Sequence, residues 1–108
     1  MKLVLTKNYI EGIHHYPEAT GREEFLKHPH RHIFHIECRF EVTGSNREIE
    51  IFNQQFKIDE YFSHLYGIPA NFGAMSCEMI AEQIVQDFNK CQYVKITEDG
   101  EGGAVIYR

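Results

Sequence analysis

The most regular feature of the chain is an alternation of apolar and polar residues over His30–Val42. A period of two is typical of a β-strand with one buried and one exposed face. The Gly-Ser-Asn sequence at 44–46 favours a turn, after which residues 48–52 can return as a second strand. We therefore predict a β-hairpin made of these two segments. The apolar parity of its first strand carries His30, His32, Phe34, Ile36, Cys38, Phe40 and Val42.

The segment before this hairpin predicts one further strand and a loop. Residues 1–13 mix β-branched, aromatic and polar side chains, which favours a first strand with a kink or bulge near Gly12. Residues 15–29 are polar and contain proline and glycine, so we expect a loop that can include one helical turn.

The segment after the hairpin predicts two helices and two strands. Apolar residues recur at helical spacing over 53–66 and stop before Gly67, as in a helix with a glycine at its C-terminal end. Ser76 can cap a second helix, which has one apolar stripe. Strands are expected at 93–98 and 104–107. The order is β, β-hairpin, α, α, β, β, which is an α+β domain.

Composition limits the classes of function. A length of 108 residues indicates one domain over 1–108. The formal charge of −5 argues against nucleic-acid binding, which needs many Lys and Arg side chains on phosphates. No apolar stretch approaches the roughly 18 residues of a membrane helix, and the first residues do not resemble a leader sequence. We expect a cytoplasmic protein that binds neither nucleic acid nor membrane, with its three cysteines reduced.

Two histidines on the predicted strand suggest a metal site. His30 and His32 are separated by one residue, so both imidazoles project from one face, about 6.5–7 Å apart along the strand. A third histidine from the first strand, His14 or His15, would complete a three-histidine site for Zn²⁺ with an open fourth position. The seven histidines could instead be solvated loop residues, and His28 is a possible substitute ligand. The apolar parity favours the metal site, because an unpaired polar ring is costly to bury.

Two other side chains could contribute to a site. In the predicted strand 93–98, Glu98 lies on the same inward face as Val94 and Ile96. A carboxylate at the end of a buried face usually has a partner, either a cation or a ligand with adjacent N–H donors. Cys77, at the start of the second helix, could have a lowered thiol pKa, but its place on the apolar stripe favours a small core residue.

The motifs in this order resemble the 6-pyruvoyltetrahydropterin synthase and 6-carboxytetrahydropterin synthase family. The resembling elements are His-His-Tyr-Pro at 14–17, His-Arg-His at 30–32, Ser-Cys-Glu at 76–78 and Thr-Glu at 97–98, so the likeness spans nearly the whole chain. In the family's register His14, His30 and His32 match the three zinc ligands. Glu98 matches the glutamate that anchors the pterin ring.

The resemblance also implies a fold and an assembly. It implies the tunnelling fold, an antiparallel four-stranded sheet with two helices packed on one face. It further implies a homo-oligomer, trimer-based and hexameric, with active sites between subunits.

The chain departs from the family at the groups that move protons. Leu26 stands at the position of the family's catalytic cysteine, four residues before His30. His64 is the nearest candidate for the family's histidine, with Asp59 or Glu60 as its orienting carboxylate, and Glu24 is a weaker candidate base.

Two hypotheses follow. The first is a zinc-dependent lyase acting on dihydroneopterin triphosphate or a related pterin. The second is a non-catalytic homologue that binds a pterin or purine-like ligand, or acts as an oligomeric interaction protein.

Overall fold

A computed structural model describes all 108 residues and arranges them as one sheet with helices on one face. The helices are α1 (Ile51–Tyr66) and α2 (Cys77–Asp87), preceded by a short 3₁₀ segment, Gly21–Lys27. The five strands are β1 (Lys2–His14), β2 (His30–Val42), β3 (Ala70–Gly73), β4 (Cys91–Glu98) and β5 (Gly102–Tyr107). The predicted α+β class is confirmed.

The sheet has five strands of mixed direction, so the prediction of four antiparallel strands is wrong in number and in direction. The strand order is β3-β1-β2-β4-β5, and β3 runs parallel to β1 while the other neighbours are antiparallel. The strand that the sequence did not predict, β3, is only four residues long. It is held at the edge because Ala70 and Phe72 point into the core.

The predicted hairpin is also wrong, because residues 48–52 form no strand. Both edges of β2 are occupied by distant segments, β1 on one side and β4 on the other. Helix α1 begins two residues earlier than predicted, at Ile51. The carboxylate of Glu50 accepts hydrogen bonds from the amides of Phe52 and Asn53, which satisfies donors of the first turn.

Strand β1 pairs with β2 without interruption from Lys2 to His14, so the bulge predicted near Gly12 is absent from this ladder. The irregularity lies instead in the pairing with β3, between Ile13 and His14. Gly12 has a packing role, since a Cβ atom built there would lie 2.5 Å from Cε2 of Phe72.

The hydrophobic core lies between the sheet and the two helices. The alternation over His30–Val42 is confirmed, since its apolar parity points inward and its other parity lies on the uncovered face. The predicted helix ends are confirmed as well. The N–H of Gly67 donates to the carbonyl of Ser63, and the hydroxyl of Ser76 accepts from the amide of Met79. The inward residues that form the centre of the core are Phe34, Ile36, Cys38, Ile58, Phe62, Ile80 and Ile84.

None of the helices combines the length and the apolar character needed to cross a membrane.

Candidate metal centre

Three strand ends place four potential ligands at one end of the sheet. His14 is the last residue of β1, its cross-strand partner His30 is the first of β2, and His32 follows two residues later. Glu98 is the last residue of β4. Each of these residues offers one ligand atom, and these atoms all lie within 4.8 Å of one another. The cluster could therefore hold a metal ion.

The hydrogen bonds of the histidine rings determine which nitrogen faces the cluster. Nδ1 of His14 lies 2.9 Å from the carbonyl oxygen of Met75, and Nδ1 of His30 lies 2.9 Å from that of His28. Nδ1 of His32 lies 2.7 Å from Oδ2 of Asp99. Carbonyl and carboxylate oxygens only accept hydrogen bonds, so each Nδ1 carries the proton. The three Nε2 atoms therefore keep their lone pairs for an ion.

The Nε2 atoms of His14 and His32 approach the carboxylate of Glu98 without forming a hydrogen bond to it. Oε2 of Glu98 lies 2.7 Å from Nε2 of His14 and 3.5 Å from Nε2 of His32. Both nitrogens are nevertheless buried without a hydrogen-bond partner, because an Nε2 lone pair and a carboxylate oxygen are both acceptors. Ligands of a tetrahedral zinc ion, at about 2.0–2.1 Å from the metal, lie about 3.3–3.4 Å apart. The first distance is shorter than that separation and the second is close to it, and all the ligand atoms lie within 4.8 Å of one another, so the donor set could hold a metal ion.

Asp99 is the residue that sequence reasoning missed. Its Oδ1 accepts the amide hydrogen of Ile33 at 2.9 Å, and its own amide donates to the carbonyl of Ile33 at 2.8 Å. These bonds hold Asp99 at φ 56° and direct its second oxygen to His32. The Ile33 amide and His32 lower the pKa of the Asp99 carboxyl, so it is ionised at neutral pH. The sequence did offer one signal for Asp99, namely that it directly follows Glu98.

A pocket of about 630 Å³ opens beside the cluster. His14, His30 and Glu98 form one wall, while Leu26 and Cys77 also line the pocket. Leu26, which the resemblance aligns with a cysteine, therefore faces the space where a ligand would lie.

The thiol of Cys77, which lines the pocket, does not have the lowered pKa that a position at a helix start can produce. Burial, with the charges of Glu98 and Glu78, raises the pKa of the Cys77 thiol to about 12. The preference for a small core residue is confirmed, since Cys77 is buried in the core and its loss of solvation outweighs the favourable field at the helix N-terminus. Cys77 is a protonated thiol at neutral pH.

Other sequence candidates lie outside the cluster. His15 lines the pocket, and His28 contributes only its backbone carbonyl to the cluster. His64 is exposed on α1 and does not line the pocket. Asp59 accepts a hydrogen bond from Asn8, and Glu24 is paired with Lys27 on the surface. The structure thus brings together His14, His30, His32 and Glu98, without His64.

No protein-family model matches this chain, and no curated protein matches it. The likeness to tetrahydropterin synthases therefore rests on the motifs themselves.

Proposed function

We propose that this chain is a zinc-dependent enzyme that converts a pterin, in the manner of a 6-pyruvoyl- or 6-carboxytetrahydropterin synthase. One observation carries the proposal. Three imidazoles with their Nδ1 protons already engaged present Nε2 lone pairs to one cluster, and His14 and His30 of this cluster line a pocket. Their order along the chain is that of the family's ligands.

The donor chemistry supports zinc as the ion. Three neutral imidazoles with one open or carboxylate position are a common set in catalytic zinc sites. When bound, zinc would supply a Lewis acid that holds side-chain oxygens of the substrate and polarises a carbonyl.

Glu98 has a second oxygen to offer a substrate. Its Oε2 faces the histidine nitrogens, while Oε1 accepts no hydrogen bond within the protein. Adjacent N–H groups of a pterin ring could donate to this carboxylate, and an ionised acceptor makes such bonds strong. This role agrees with the glutamate of the resembling family.

The proton-transfer step needs a group that differs from the family's cysteine. Leu26 has no proton to move, and Cys77 holds its proton at neutral pH. The group therefore comes from another residue of the pocket wall or from a neighbouring chain.

Metal analysis tests the site. We expect the purified protein to carry about one zinc ion per subunit, in keeping with a three-histidine site. The variant His32→Ala should lose the metal, whereas His64→Ala, a change of the same residue type outside the cluster, should keep it. Full occupancy in His32→Ala would refute the site.

Turnover tests the reaction. Wild type and Leu26→Cys are incubated with dihydroneopterin triphosphate, and products are separated by chromatography with fluorescence detection. Conversion by the wild type supports the enzyme. The second candidate, a non-catalytic homologue that binds pterins, is favoured by Leu26, and tight binding without conversion by the wild type would establish it instead.

The proposal includes a trimer-based, hexameric assembly of identical chains. The sheet has two incompletely paired edges, since β5 pairs only with β4 and β3 covers β1 only at residues 12–14. Open edges favour pairing with further strands. Native mass spectrometry tests this, and a monomer at micromolar concentration would refute it.

A further inference from the structure

The face of the sheet that the helices leave uncovered carries two rows of polar side chains. In the first row Lys7, Glu37 and Lys95 are cross-strand partners. In the second row, Tyr9, His35 and Thr97 are paired in the same way. The two rows line a pocket of about 190 Å³. This pocket is separate from the metal cluster, which lies on the opposite face.

The first row has more positive than negative charge. The Glu37 carboxylate is bound by Arg39, with Oε2 2.8 Å from Nη2 and 3.1 Å from Nε. Lys7 reaches Glu37 only at 4.0 Å, and Lys95 makes no ion pair. Two ammonium groups thus flank a carboxylate that is already neutralised. This local excess is notable on a chain whose formal charge is −5.

The second row supplies further hydrogen-bond donors. The hydroxyls of Tyr9 and Thr97 and the ring nitrogens of His35 make no hydrogen bond within the protein. The Tyr9 ring packs edge-on against His35, with centroids 4.9 Å apart, which fixes both rings at the border of the pocket. Gly100 leaves space beside them, because a Cβ atom there would lie 3.4 Å from Cε1 of His35.

The spacing suits one small anion. Lys7 and Lys95 lie on strands that flank β2, so their backbones are about 9.4–9.8 Å apart, two strand spacings. Both flexible side chains can then reach the same ligand above Glu37. The volume is below the roughly 300 Å³ of ordinary ligand pockets and is adequate for a single anionic group.

We infer that this pocket binds the phosphate group of a small molecule, held by Lys7 and Lys95 and oriented by Tyr9, His35 and Thr97. Ammonium and hydroxyl donors form charge-assisted hydrogen bonds with phosphate oxygens. The inference does not depend on the proposed enzymatic function, since neither row contributes to the metal cluster.

Inorganic phosphate is the probe for the test. Metal-free protein labelled with nitrogen-15 is titrated with phosphate at constant ionic strength, and amide shifts are followed by NMR. We expect saturable shifts centred on the two rows. Lys95→Gln should weaken binding about tenfold, the size of one charge-assisted hydrogen bond. Lys57→Gln removes the same charge from an exposed lysine of α1 that makes no ion pair, and it should bind as the wild type does.

Three results would overturn the inference. Shifts that do not saturate, or an equal loss in Lys57→Gln, would show an adventitious ion only. Shifts centred on His14, His30 and His32 would place the anion at the metal cluster instead. Retained binding in His32→Ala supports the separate site, because that variant impairs only the cluster.

Discussion

Replacing Asp99 by asparagine removes one specific contact of the metal centre and leaves the backbone in place. In the wild type, Oδ2 accepts the Nδ1 proton of His32 at 2.7 Å and Oδ1 accepts the Ile33 amide hydrogen. Asparagine keeps one carbonyl oxygen for Ile33 but presents an NH₂ group to His32. It also tolerates the left-handed backbone at φ 56°. The change therefore acts on the imidazole.

The expected effect is a loss of zinc affinity. Facing a donor, Nδ1 of His32 becomes the acceptor, and the ring proton moves to Nε2, the atom that should bind the ion. Removing such a supporting contact typically lowers metal affinity about 10- to 100-fold. Asp99→Asn should fall in this range, and Asp99→Ala, which loses both contacts, should fall at least as far.

Competition with a chromophoric zinc chelator at neutral pH measures the affinity. Glu101→Gln is the matched control, since it makes the same chemical change in the same turn at a side chain without a hydrogen-bond partner. An affinity for Asp99→Asn within about twofold of the wild type, far below the expected range, would refute the tautomer argument. An equal loss of zinc affinity in Glu101→Gln would also refute it, because the effect would then come from removal of a negative charge and not from the tautomer of His32.

Three further changes test the fold by chemical or thermal denaturation. Gly12→Ala should destabilise the protein by about 1–3 kcal/mol, because its Cβ would lie 2.5 Å from Phe72, and unchanged stability would contradict that packing. Phe62→Ala, at a side chain that is 1% exposed, should cost about 3–5 kcal/mol; a loss below 1 kcal/mol would contradict its place in the core. Glu50→Gln should be less stable than the wild type at neutral pH. Amide donors of the first turn of α1 lower the pKa of Glu50 below its usual 4.5, so its contribution is complete above that pH. That contribution is lost as the pH falls through the lowered pKa, and the two proteins should converge in acid. A pH-independent difference would exclude this cause.

Features that depend on local pattern could be predicted from the sequence. The period of two over His30–Val42 fixed which side chains face inward, and therefore that His30 and His32 share a face. The glycine at the end of α1 and the serine before α2 predicted helix ends correctly. Glu98 was predicted from parity to lie at the end of a buried face, and it does meet the histidines there.

Features that depend on contacts between residues distant in sequence could not be predicted from the sequence. Residues 48–52 have strand character, but β1 and β4 occupy the two edges of β2. This segment therefore has no place beside β2, and its last residues begin helix α1. Strand β3 is too short to show a period, and the burial of Phe72 positions it. The residues alone left His14 and His15 as alternatives, and only the resemblance selected His14, which the structure shows as the buried last residue of β1. The role of Asp99 requires the exact turn that brings β4 beside Ile33.

The distribution of the cluster along the chain has a consequence for folding kinetics. Its residues come from positions 14, 30, 32 and 98, so Glu98 and Asp99 reach the histidines only after β4 has docked on β2. Pairings between distant segments form slowly, because the intervening chain must first be ordered. High-affinity metal uptake after dilution from denaturant should therefore follow the docking of β4 on β2, and a bound ion would report that this pairing has formed.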